Sequence, residues 1–547
     1  MRCYVKWLLI VIAVFNSNYL FSQQSKLNFK EGEASKVFDY SYGLLGDSIN
    51  GFVTIENHKK SFDIQGYDVK QMKPIGEVKK YELTTDEKNF VNVGAYAISN
   101  KYYLLYYTIK SPNSTTTLYA REIDVKNKVL NEEPIELLKE ENPSGAKVKA
   151  HIYFFIPVNV SSKKLGNLIF DVLQDEEKNS LVITYSKNTN EDGKVSKNVN
   201  QTIAAVSFDK NLSKLWGNNV EIPYTTKDAD IIDKYVDAKG SLYVVVEKNV
   251  GRKEKHLKYE LFKFNDKKSF QTVLDFTKKN AEFEFISDEF FFYEHEGQTY
   301  LLGKYFLTSY NHAVGFFILQ IEEKGKKLGN AVNLYPFDMN VINKYESAKT
   351  QSKIAKGKYT NLNNLRLKKV AMSKDGSVRL FAEEYSVETT TSSSSTGRMT
   401  YAKSYYYYND IYVMDIKANK INWFVKIPRS IVLALADTYW SSFNAIQAND
   451  GVYVLYTDNE SNLDIIESEK TPNAGNRGVK NMYMTYTFIS NDGKVTKKQL
   501  SDDGGRLYGI RYLKKVTNNM YFTTRLSPAL KLNGENSIKG FAILSIE

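Results

Sequence analysis

Lys239-Gly240-Ser241-Leu242-Tyr243-Val244-Val245-Val246 is a tight turn that runs straight into an unbroken β-prone strand. Glycine at the second position accepts the positive φ that two-residue hairpin turns demand. The same pairing of turn and strand recurs along the chain. β-prone runs centre near Val53, Leu104, Val182, Val244, Leu301, Leu380, Val454 and Phe522. The turns before them are Asn50-Gly51, Ser99-Asn100, Lys178-Asn179, Lys239-Gly240, Glu296-Gly297, Asp375-Gly376, Asp450-Gly451 and Asn518-Asn519. A unit recurring at intervals of tens of residues is the mark of a repeat architecture.

A second strand pair follows most of these hairpins. Strands are expected at Ile203 to Asp209, Tyr259 to Asn265, Val314 to Glu322, Ile411 to Lys417, Met482 to Ser490 and Phe541 to Ile546. Two later segments echo each other, Asp209 to Trp216 with Ile222-Pro223 and Asp415 to Trp423 with Ile427-Pro428. A proline ending such a strand fits an outer edge, where no ladder donor is missed. Four strands per repeat predict an all-β fold, a β-propeller of about eight (alternatively seven) four-stranded blades. Two tandem β-sandwiches would also give short strands between turns, but not the constant order of hairpin after hairpin. Blades packed face to face around a channel bury each inner strand on both faces, which explains why runs such as Tyr102 to Tyr107, taken as those inner strands, lack alternation. The last repeat stops one strand short, and Lys26 to Lys30 is expected to supply it and close the ring.

Met372-Ser373-Lys374-Asp375-Gly376-Ser377, followed by Val378-Arg379-Leu380-Phe381, resembles the blade signature of the Tol-system periplasmic propeller and its relatives. Those proteins carry a Ser-Pro-Asp-Gly type turn before a blade strand; here Lys374 stands where they have proline. As a whole the chain resembles the uncharacterised secreted β-propeller proteins of Bacteroidota. That resemblance implies a fold and a compartment outside the cytoplasm.

The N-terminus points the same way. Arg2 and Lys6 precede an apolar stretch from Trp7 to Phe15, and polar residues follow to Ser22. This is the pattern of a secretory signal peptide, expected over residues 1–22 with the propeller over 23–547. The apolar stretch is about half the roughly 20 residues a membrane-spanning helix requires. Cleavage would remove Cys3, the sequence's one cysteine. The exported chain would then hold together by its core alone and offer no thiol nucleophile. Localisation is accordingly expected to be periplasmic, cell-surface or secreted.

Composition narrows the function classes. Of 547 residues, 42% are hydrophobic and 25% charged, an ordinary globular balance. The formal charge is +11, and without Arg2 and Lys6 it is +9, from 72 basic against 63 acidic residues. An exported chain without a nucleic-acid motif is not expected to meet nucleic acid, so an anionic envelope surface, glycan or protein is the expected partner class.

Three departures from the repeat are candidate insertions, near 142–164, 340–364 and 389–404. Loops on a rigid scaffold carry most binding chemistry. The second insertion and the strand after it hold Lys353, Lys356, Lys358 and Arg366, with a short helix expected among them, and form a candidate patch for an acidic partner. The third has a Ser/Thr-rich hairpin tip followed by Tyr405, Tyr406, Tyr407 and Tyr408. Four tyrosines offer stacking faces to a sugar or peptide, although such a run more often begins a half-buried strand. The first, with His151 and the apolar run Ile152 to Val158, reads as an extra strand without chemistry.

Catalytic motifs are missing from the sequence. His58, His151, His256, His295 and His312 nowhere fall at metal-ligand spacing, so no metal or cofactor is expected. No nucleophile elbow, phosphate-cradling loop or dinucleotide fingerprint is present. Glu294-His295-Glu296, the densest titratable group, reads as an exposed turn. The sequence therefore predicts a non-enzymatic exported propeller that binds a protein or glycan through one face of the ring. The alternative is a glycan-active hydrolase or lyase with paired carboxylates at the channel mouth.

Overall fold

The computed structural model describes residues 25–547 except 34–40, 48–50, 58–60, 69–72, 83–89, 111–114, 142–169, 176–178, 188–197, 249–257, 267–268, 275–282, 285–289, 308–312, 325–326, 357–360, 394–399, 435–439, 473–480, 502–505, 518 and 531–535. Its strands form eight successive four-stranded antiparallel blades. The eight β-prone runs of the sequence are the second strands of these blades, from Gly51–Asn57 in blade 1 to Met520–Leu530 in blade 8. They are not the innermost strands. A separate first strand precedes each one, and in several neighbouring blades these first strands touch, as Asp171–Gln174 and Ala229–Val236 do.

Burial on both faces follows from how the blades stack. Leu181 and Ile183 enter the cluster between blades 2 and 3, while Val182 enters the one between blades 3 and 4. Tyr243 and Val245 face blade 5, and Leu242, Val244 and Val246 face blade 3. Seven such clusters fill seven junctions in order around the ring. At the eighth junction Tyr67 of blade 1 meets Phe541 of blade 8 edge to face, at 5.4 Å between ring centroids. Within the ring the middle of each second strand thus has an apolar neighbour on both sides, so that stretch of sequence has no period of two.

The N-terminal strand closes the ring. Leu27–Glu33 pairs antiparallel with Asn536–Ile546, in register from Leu27↔Ile546 to Glu33↔Gly540. Lys26 and Glu547 exchange backbone hydrogen bonds at 3.1 and 3.0 Å. Ser25 N–H donates to Asp450 Oδ2 at 2.9 Å, which ties the start of the closing strand to blade 7. Blade 8 therefore draws three strands from the end of the chain and one from its beginning.

Asn50, Lys178 and Asn518 of the expected turns lie outside the described residues; in two of the turns that are described, glycine serves for different reasons. Gly240 has φ +74°, a backbone open to glycine at little strain. Gly451 has no positive φ, but a Cβ there would lie 2.3 Å from the Ile489 carbonyl oxygen. Pro223 and Pro428 fall just past the fourth strands Lys214–Ile222 and Lys420–Ile427, at the outer edge as expected.

Strand direction sorts the connections onto two faces. The fourth strands of blades 4 and 5 pair in parallel at Gln271↔Lys327, so neighbouring blades share one orientation. Links from first to second and from third to fourth strands lead to one face; they are six residues or fewer except 125–134 in blade 2, which holds the two-residue strand Val129–Leu130. Links from second to third strands and between blades emerge on the other. Among the described residues these include 337–356, 361–364 and 460–472. We call these the turn face and the loop face.

Candidate partner-binding site on the loop face

The second insertion and the described strands of the third lie on the loop face. The first falls almost wholly within 142–169, outside the described residues. The second contains two short helices where one was expected, Met339–Asn343 and Ala348–Ala355. Asp338 caps the first by accepting from Asn340 N–H at 2.9 Å, and Ser347 caps the second through Thr350 N–H at 3.2 Å. Their apolar residues Ile342 and Ile354 enter the cluster between blades 5 and 6, so the helices are seated on the ring.

The seat is locked by a buried cation. Lys426 of the fourth strand of blade 6 has no side-chain exposure. Its Nζ donates to the Ile342 carbonyl at 3.0 Å and lies 2.6 Å from Glu346 Oε1 and 2.9 Å from Asp410 Oδ2. Burial alone would lower the pKa of this ammonium, yet Asp410, Glu346 and Glu384 raise it overall. Glu384 shares the site and accepts the Tyr412 hydroxyl at 2.8 Å. Burial, helped by Asp410, holds its carboxyl above the usual range, against the pull of Lys426 and Tyr412.

On the other side of the same strand, Glu383 binds the Arg429 guanidinium, both fully buried, and accepts the Ser442 hydroxyl at 2.7 Å. Arg429 also donates to the carbonyls of Ser441 at 3.1 Å and Asn409 at 3.2 Å. In blade 7, Lys497 and Asp458 pair at 2.7 Å with no exposure of either side chain. Asn462 bridges them: its carbonyl accepts from Lys497 at 2.8 Å and its amide donates to Asp458 at 2.9 Å. The loop-face end of blades 6 and 7 is thus built on buried ion pairs whose charges answer one another.

The residues singled out from sequence separate into groups. Lys353, in the last turn of its helix, and Lys356, at its C-cap, are exposed. Lys358 lies outside the described residues. Arg366 is half-buried in the first strand of blade 6, with its guanidinium 3.9 Å from the centroid of the Tyr385 ring. Tyr385 in turn meets Tyr408 edge to face at 4.9 Å. The structure therefore brings Arg366 to the tyrosine run.

The run itself is strand. Tyr405 to Tyr408 sit in Thr400–Lys417, paired on one side with Tyr385 to Glu388 and on the other with the short strand Ile431–Ala434. Tyr408 and Tyr406 turn toward a cluster with Tyr385, Ile431, Trp440, Met482 and Leu507. Tyr407 donates its hydroxyl to Glu388 Oε2 at 2.9 Å. The Ser/Thr hairpin is longer than expected, because its strands continue to Ser393 and resume at Thr400.

Glu294-His295-Glu296 departs from its reading as an exposed turn. Glu294 and His295 belong to the first strand of blade 5, and Glu294 is half-buried, accepting from Ala238 N–H at 2.8 Å. Burial raises its pKa. Among the described residues no group of His, Cys, Asp and Glu is arranged to hold a metal ion, and no helix is long and apolar enough to cross a membrane.

This chain is an eight-bladed β-propeller closed by its N-terminal strand. No family model and no curated protein matches it. Several solved structures do. The WD40 domain of SCAP from fission yeast is 9% identical, with a TM-score of 0.35 over 96% of this chain and 98% of that one. The β-propeller domain of the Trilobed protease from Pyrococcus furiosus is 12% identical, with a TM-score of 0.32 over 86% and 98%. A prolyl endopeptidase is 10% identical, with a TM-score of 0.34; the match covers 91% of this chain but 56% of that one, so the chain spans just over half its length.

Proposed function

We propose that this propeller is exported and binds a protein partner through its loop face, without chemistry of its own. The observation that carries the reading is the asymmetry of the ring. Among the described residues the helical insertion after blade 5 and the extended hairpin of blade 6 fall on one face, while links on the opposite face are ten residues or fewer. A scaffold that holds one face bare and elaborates the other presents a recognition surface on rigid support. Lys353 and Lys356 lie exposed on that surface and favour an acidic partner. The adjacent acids Glu383 and Glu384 are engaged by Arg429 and Ser442 and by Tyr412, which speaks for structural rather than hydrolytic duty. The export signal at residues 1–22 and an extracytoplasmic location belong to this proposal.

Photo-crosslinking in the producing cell tests it. A crosslinking amino acid is placed at Lys353 or Lys356 on the loop face, or at the exposed Lys239 or Lys374 in the turn-face hairpins. The reading expects a discrete protein adduct from the first pair and none from the second. Equal labelling from both faces would contradict it. N-terminal sequencing of the recovered chain is expected to begin near Gln23, and a retained Met1 in the functional protein would remove the export part.

A further inference from the structure

Two helical segments stand on the loop face, and they come from different blades. Met339–Asn343 and Ala348–Ala355 belong to the link between blades 5 and 6. Glu460–Asn462 and Ile465–Ser468 lie between the second and third strands of blade 7. Their seats are built alike. Lys426 and Lys497 are both lysines of fourth strands, and neither side chain has any exposure. Each donates to a carbonyl of the segment above it, Lys426 to Ile342 at 3.0 Å and Lys497 to Asn462 at 2.8 Å. Each is also answered by carboxylates, Lys426 by Glu346 and Asp410, and Lys497 by Asp458.

The two seats are joined to each other underneath. Asp410 holds Lys426 through one oxygen at 2.9 Å and accepts Arg429 N–H through the other at 3.0 Å. The Arg429 guanidinium lies 5.8 Å from the centre of the Tyr456 ring, and Lys497 Nζ lies 5.6 Å from the centre of the same ring. Tyr456 is fully buried, with its hydroxyl 2.7 Å from that of Thr487. A file of groups therefore runs from Glu346 through Lys426, Asp410, Arg429, Tyr456 and Lys497 to Asp458. Charges this close in a buried site act on one another strongly, and removing one member of such a network costs more than a single contact.

Other links between the segments are weaker. Ile342 and Ile354 enter the apolar cluster between blades 5 and 6, and Ile465 does not. At the surface Lys344 Nζ meets Glu469 Oε1 at 3.3 Å, but their side chains are 46% and 66% exposed, and a pair of that kind contributes little.

We propose that the two segments form one cooperative unit, coupled through the buried cations Lys426, Arg429 and Lys497, so that loosening either segment loosens the other. The coupling is reciprocal, as any equilibrium coupling between two sites must be. It holds whether or not a partner binds the loop face. One extension does rest on the partner-binding reading: contact made at Lys353 or Lys356 is then felt at 460–468.

Native-state hydrogen exchange, followed by mass spectrometry on the signal-free chain, tests the coupling without a partner. Asp458→Asn weakens the seat in blade 7, and Glu346→Gln weakens the one after blade 5. Each variant is expected to speed exchange at least about twofold in both 339–356 and 460–468, near the low end for coupled sites. Exchange in Leu181–Lys187 of blade 3 is expected to stay unchanged, which marks an intact ring. Adding Lys344→Gln to either variant is expected to leave the coupling in place, because the surface pair is not its route. If Asp458→Asn unfolds the whole ring, exchange in Leu181–Lys187 rises as well, and the Glu346→Gln chain decides. Faster exchange confined to the substituted segment, or a coupling that disappears with Lys344→Gln, overturns the proposal.

Discussion

Arg429 has no exposed side-chain surface, and its guanidinium is bonded on three sides, to Glu383 and to the carbonyls of Ser441 and Asn409. Such a pair does little for stability in comparison with an apolar replacement of both members, but removing one member strands the other. Arg429→Met is therefore expected to destabilise the fold by about 3–5 kcal/mol in urea titration, with Glu383 left buried. Adding Glu383→Leu should recover much of the loss. A double variant no better than the single one would mean that the pair is not what holds the two blades together there. Glu384, one residue along and on the opposite face of the strand, behaves differently. Its folded pKa lies above the ordinary 4.5, so the folded chain keeps a proton that the unfolded chain gives up. That contribution is complete at low pH and is lost as pH rises from about 4.5 through the raised value. Glu384→Gln, which keeps an acceptor for Tyr412, is expected to flatten the fall in melting temperature between pH 5 and 8. An unchanged pH profile would show that Glu384 is ionised in the fold.

At the scale of strands and turns, most of the architecture could be read from the sequence because burial on two faces leaves a distinctive trace. Leu242 to Val246 is apolar without a break since alternate side chains enter different clusters. The eight turns were visible because hairpin geometry restricts residue choice. Gly451→Ala tests one whose glycine serves close approach: a Cβ 2.3 Å from the Ile489 carbonyl should push the turn of blade 7 off its third strand, lowering stability by about 1–3 kcal/mol. A neutral outcome would place the Gly451 backbone farther from Ile489. The charged clusters were not visible in the sequence. Glu383 and Arg429 stand 46 residues apart, Lys497 and Asp458 39, and Lys426 and Glu346 80, because each pair is closed by the return of the chain across a blade or between blades. The sequence signal for them is local: Glu383-Glu384 directly follows the apolar Leu380-Phe381-Ala382, and Asp458-Asn459 ends the second strand of blade 7. Arg366 and Tyr408 were singled out separately from sequence. Their meeting around Tyr385 depends on a strand register that no spacing rule supplies.

On the scale of the whole molecule, one short strand turns a row of blades into a ring. Leu27–Glu33 completes blade 8 and brings Ser25 against blade 7, so the beginning and end of the chain support the same junction. Closure fixes which face each loop occupies, and the division into turn face and loop face rests on it. The most direct measurement is disulfide trapping across that junction in a chain whose only native cysteine is Cys3. Asn28 and Ser545 are register partners. Asn28→Cys with Ser545→Cys is expected to form an intramolecular bond under mild oxidation and to raise the melting temperature. Asn28→Cys with Ala542→Cys, three residues out of register, is expected to keep its thiols free. Free thiols in the first pair, or equal bonding in both, would contradict a ring closed by its N-terminal strand.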